Sequence, residues 1–170
     1  VVLLAHASLF AVHSAAVGSF PFLTGWLAVS AVAMTVGVLD CWIAFRAHHG
    51  GTTSIVFGFV FAMQLLASAF GPVEPGPARA GSPILAFHTL ASLAACAPLI
   101  LSGIHGALYL VLYRMMRNRR FGAFFASLPD LGLLARMTRG AAFAGFLLLG
   151  LGVNLGIAWA HSAGVAGFSY

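Results

Sequence analysis

Histidine is the residue type in this chain best able to do chemistry, and several of its copies stand inside apolar sequence: His6, His13, His88, His105 and His161. A neutral imidazole can ligate iron or another metal, and it can carry protons near neutral pH. His6 and His13 are seven positions apart, so on a helix they share one face about 10 Å apart. That pair could hold haem, a metal or protons, or each ring could donate to a carbonyl of a neighbouring helix. His88 and His105 differ. They lie about 25 Å apart along a helix and about 100° apart around it, so they cannot ligate one iron together.

The remaining reactive side chains say less. Asp40 falls a few residues before Arg46 and His48; an ion pair at a membrane interface is the expectation, and a proton relay is the sharper alternative. His48 and His49 are expected in water. Cys41 and Cys96 stand in separate apolar runs without a C-x-x-C pair, so they read as small packing residues. No nucleophile–base pair or phosphate-binding loop stands out.

The elements that must position these groups follow from composition. Of the 170 residues, 61% are hydrophobic and 6% charged, with a mean hydropathy of +1.02. A soluble domain carries about 25% charged residues. The chain cannot cover itself with a solvated surface, which makes the expected fold an all-α, polytopic membrane bundle forming a single transmembrane domain over 1–170. Apolar runs predict about five spans, at 1–17, 20–45, 53–71, 84–113 and 138–162, each near the ~20 residues a crossing needs. The first is short and begins without methionine, which reads as the tail of a longer element. The last stops soon after its aqueous end, at "GVAGFSY", which reads as a fragment of a longer chain.

The basic residues are all arginine and the net charge is +5, which raises nucleic acid as a partner. The arginines gather at the ends of apolar runs instead, where they set orientation, and no nucleic-acid motif is present. Arg46 and the group Arg114, Arg117, Arg119, Arg120, Arg136 and Arg139 fall in two connections, with Arg79 in a third. Short loops rich in arginine stay cytoplasmic, so the expected N-terminus is inside and the C-terminus outside, in a bacterial inner (plasma) membrane. The connection 114–137 mixes arginine with Phe and Leu, as a short helix at the headgroup surface would. The connection "GPVEPGPARAGSP" is expected to be irregular.

This orientation places His88 about one turn below the outer surface and His161, with Trp159, at a similar depth. Two outer histidines and an aromatic wall could hold haem there; two separately satisfied interfacial histidines are the alternative. His105, between Gly103 and Gly106 with Tyr109 one turn on, is expected to bond across a close helix contact. An inner haem ligand is the other reading.

The block "FHTLASLAACAPLILSGIHGALYLVLYRMMRNRRFGAFFASLPDLGLLARMTRGAAFAGFLLLGLGVNLGIAWA" resembles the cytochrome c assembly family of membrane proteins, of the CcsA/HemX type. The resemblance rests on order and spacing: His88 opening a long span, Tyr109 and Tyr113 near its far end, and the basic run Arg114 to Arg120. "SLPDLGLL" follows, then a glycine-rich span closing on "GIAWA". It covers about residues 84–162. It implies haem handling at the outer face for attachment to apocytochrome c, with His88 matching the family's first outer haem-ligating histidine, and presentation of haem rather than bond-making by this chain. Other membrane subunits are implied partners alongside the lipid bilayer. The family's tryptophan-rich segment and its later histidines have no match here, which leaves the haem site half built. The rival readings are a membrane anchor or cytochrome b-like subunit using His6, His13 or His105, and a purely structural helical subunit. Gly152 and Gly156, a G-x-x-x-G pair, are expected to allow close helix packing.

Overall fold

The architecture is set by where helices can start and stop. In the computed structural model, which describes Ser8, Ala11, Val12 and residues 25–47, 50–70, 82–119 and 121–163, five helices follow in order: α1 (Gly25–Ala47), α2 (Thr53–Phe70), α3 (Pro83–Arg117), α4 (Ala123–Ser127) and α5 (Leu131–Ser162). Four of them, all but α4, are long and apolar enough to cross a membrane. Apart from Ser8, Ala11 and Val12, the expected span over 1–17 lies outside the described residues, and so do His6, His13, His48, His49 and the connection 71–81.

Caps explain the boundaries. Ser82 accepts the Leu85 N–H at 3.3 Å, and Pro83 follows at the first helical position, where its missing N–H costs nothing. Asp130 accepts the Leu133 N–H at 2.8 Å, which starts α5 at Leu131 rather than at 138. The connection expected over 114–137 is therefore shorter. Its first residues extend α3 and its last residues extend α5, leaving the five-residue α4 between. Arg119 closes the end of α3 with φ 52°, the left-handed conformation common just past a helix end. At 35 and 32 residues, α3 and α5 run to about 50 Å, well beyond a hydrocarbon core of ~30 Å. Their arginine-bearing ends lie in the surplus.

Two seams hold the helices. On α3, residues 88, 92, 95, 99, 102 and 106 alternate steps of four and three, the pattern of a nearly parallel or antiparallel helix pair. They pack on a small-residue face of α5. A Cβ at Gly145 would stand 2.6 Å from Leu99 Cγ, one at Gly152 2.7 Å from Ser92 Oγ, and one at Gly156 2.8 Å from His88 Cε1. Such distances are available only to glycine. Ser102 spans the same seam, donating to the Thr138 carbonyl at 3.0 Å.

The second seam joins α1, α2 and α3. Val32, Val36, Val56, Ala97 and Leu101 form one buried cluster, and Ser30 donates to Gln64 at 2.8 Å between α1 and α2. Ile55, near the start of α2, packs with Leu108 and Leu112 toward the end of α3, so α2 runs antiparallel to α3. Its partner α1, joined to it by a short turn, runs parallel to α3. Large apolar side chains such as Phe45, Phe61, Phe143 and Phe146 face outward, as a bilayer solvent permits.

Candidate functional site

His88 sits about one and a half turns into α3, at the end remote from the arginines. Its partly buried ring crosses the seam to α5, with Nδ1 2.7 Å from the Gly152 carbonyl oxygen. A carbonyl only accepts, so Nδ1 carries the hydrogen and donates it. In the neutral ring the lone pair then lies on Nε2. This arrangement, one ring nitrogen tied to a backbone carbonyl and the other left as a donor atom, is how ligating histidines are held.

Glycine at 156 makes the ring's position possible. The ring lies where a Cβ at that residue would be, 2.8 Å from Cε1 and 2.9 Å from Nδ1. Close packing at Gly152 and Gly156 was legible in the sequence; that the packed object is an imidazole was not.

Trp159 follows Gly156 by three residues and Gly152 by seven, so it falls on the same side of α5, one turn nearer the helix end, and it is partly buried. His161 is exposed on the last turn. Nine residues past Gly152, it points about 180° away around α5. By helical phase, Trp159 falls on the side of α5 that faces His88, and His161 falls on the opposite side.

His105 is fully enclosed, with 0% of its surface exposed, and among the described residues neither ring nitrogen has a hydrogen-bond partner. The cross-helix bond expected for it is not made. The neighbouring Gly106 does meet α5, its Cβ position being 3.6 Å from Thr138 Cγ2, whereas Gly103 borders open space. Asp40 is also buried, and among the described residues neither carboxylate oxygen has a hydrogen-bond partner. The ion pair with Arg46 does not form. Arg46 instead lies over the Trp42 ring, 5.5 Å from its centroid, a cation–π contact that keeps the charge at the surface. Cys41 and Cys96 are free thiols on different helices. Among the described residues no group of three or more His, Cys, Asp or Glu could hold a metal ion.

Comparison with known proteins gives one finding. The family model described as Cytochrome C assembly protein matches residues 1–167. No curated relative and no solved structure matches the chain.

Proposed function

The chain belongs to the cytochrome c assembly protein family, an integral membrane family with a role in cytochrome c biogenesis, and on that premise we propose that it holds haem near the outer membrane face through His88. The observation that carries the reading is the 2.7 Å contact from His88 Nδ1 to the Gly152 carbonyl. It fixes the tautomer and leaves Nε2 as the metal-binding atom. His88 would hold the haem iron through Nε2, the ring nitrogen left without the hydrogen. Trp159, on the same side of α5, offers an apolar surface against which a porphyrin edge would rest.

Bound haem would supply vinyl groups for thioether formation with the cysteines of an apocytochrome c. The chain's own contribution is to bind and orient. Gly152 holds the His88 ring through its carbonyl, Gly156 provides the space that ring occupies, and the α3–α5 seam keeps both in place. The placement on α5 makes His161 a poor second ligand to the same iron, so that ligand would come from elsewhere. Full enclosure of His105 argues against an embedded haem on that residue, because no face of the ring is open to a macrocycle. The outward position of the His88 end rests on the arginine distribution.

Haem titration of the purified protein tests this, read by absorbance of the reduced and oxidised forms. The expected result is binding that His88→Ala removes while His161→Ala and His105→Ala retain it. Binding that survives His88→Ala and fails in His105→Ala would replace this reading with an embedded cytochrome.

A further inference from the structure

The second seam contains polar groups that the haem reading does not use. Val36 on α1, Val56 on α2 and Leu101 on α3 pack in one cluster. Asp40 lies four residues beyond Val36, Thr52 four residues before Val56, and His105 four residues beyond Leu101. With α1 and α3 parallel and α2 antiparallel, these steps all lead toward the arginine-bearing end. Each moves about 6 Å along its helix and turns by only about 40°. Asp40, Thr52 and His105 therefore form one layer directly beneath the cluster. All three are buried, at 1%, 1% and 0% exposure.

In that layer and beside it, three helices carry buried hydrogen-bonding atoms without a partner among the described residues. Both carboxylate oxygens of Asp40, the hydroxyl of Thr53 and both ring nitrogens of His105 are buried without a partner. Thr53 opens α2 one residue past Thr52. An isolated buried polar group costs about 1–3 kcal/mol, and several converging on one layer are stable only when something polar joins them. A metal ion is a poor candidate, since one carboxylate and one imidazole fall short of the three or four protein ligands of a zinc site. A water molecule suits the set. It both donates and accepts, and buried waters take two to four bonds from such groups.

We propose that Asp40, Thr53 and His105 form an internal water site that binds α1, α2 and α3 together and holds one proton between the carboxyl and the imidazole. The water donates to Asp40 and accepts from Thr53 or from the His105 ring. A proton passing along it converts carboxylic acid and neutral imidazole into carboxylate and imidazolium; no electron moves and no other bond changes. The surrounding elements offer few competitors. Among the described residues, Tyr109 lies one turn further along α3, Arg46 is stacked on Trp42, and α5 brings the exposed Arg136 and Arg139 and the buried Thr138 hydroxyl, which also lacks a partner. At the start of α2 the neighbours are the hydroxyls of Thr52, one residue before the helix, and Thr53. The site is independent of haem binding at His88.

Nuclear magnetic resonance on protein labelled with ¹⁵N-histidine in lipid nanodiscs tests the site. His105 is expected to show a ring N–H proton with a cross-peak to water. In Asp40→Asn its ring resonances should shift and the cross-peak should disappear, while the His88 signals stay in place and report a folded α3–α5 seam. Thr53→Val, nearly the same shape, should weaken the cross-peak and serves as the second variant if Asp40→Asn fails to fold. A His105 ring without a water cross-peak, or one whose resonances ignore both substitutions, would overturn the proposal.

Discussion

Replacing Gly156 with alanine puts one methyl group where the His88 ring now lies. The new Cβ would stand 2.8 Å from Cε1 and 2.9 Å from Nδ1, whereas carbon atoms rest at about 3.5–4.0 Å. Relief requires the ring to retreat by roughly 0.7 Å. The Nδ1–H bond to Gly152, now 2.7 Å, would then open to about 3.4 Å, past the ~3.2 Å limit of a good N–H···O bond. Overpacking typically costs about 1–3 kcal/mol, and an interhelical bond in a membrane is worth about 0.6 kcal/mol. Set against the roughly 0.8–1.0 kcal/mol by which alanine favours helix over glycine, the expected loss is about 1–3 kcal/mol, measured by reversible unfolding in mixed detergent micelles. Gly150→Ala provides the contrast, because a Cβ at Gly150 meets nothing within 4 Å; its cost should be near zero or slightly negative, since alanine favours helix by roughly 0.8–1.0 kcal/mol. Adding His88→Ala to Gly156→Ala should recover part of the loss by removing the group that clashes. Equal effects at Gly150 and Gly156, or no recovery in the double variant, would refute the packing on which the ligand geometry depends.

Other consequences follow from the same seams and caps. Gly145→Ala should destabilise the α3–α5 pair, and Leu99→Ala should partly rescue it, because Leu99 Cγ occupies the space 2.6 Å from the new Cβ; a double-mutant cycle should give a coupling of at least ~1 kcal/mol. Asp130→Ala removes the N-cap of α5 at a cost of about 1 kcal/mol, read in the same unfolding assay, with Asp130→Asn close to wild type. Leu101→Ala, at a fully buried position in the α1–α2–α3 cluster, should cost about 2–5 kcal/mol and leave the haem binding proposed for His88 unchanged.

The sequence made the spanning helices legible because hydrophobic length is a strong, local signal. The glycines of α5 were legible for a related reason: small residues at a spacing of four mark close approach whatever the partner is. The partner itself was not. A backbone carbonyl has no sequence signature, so the Gly152 oxygen that fixes the His88 tautomer could not be read from residue types. Asp40 misled through nearness in the chain. Arg46 lies within reach by sequence, yet Trp42, four residues before it on α1, draws the guanidinium to the surface and leaves the carboxyl inside. His105 had a visible clue in its glycine neighbours, but the glycine that packs, Gly106, faces α5 while the imidazole is enclosed in the core. His161 and His88 share a depth by residue counting; the half-turn of α5 between His161 and Gly152 separates them.

One measurement addresses the central claim directly: paramagnetic resonance of ferric haem bound to protein labelled with ¹⁵N-histidine, compared between wild type and His88→Gly. The wild type should show hyperfine coupling from a histidine nitrogen to the iron. His88→Gly should lose that coupling, and free imidazole should restore an axial nitrogen. An iron signal that keeps its histidine coupling in His88→Gly would contradict the assignment of Nε2 as the ligand.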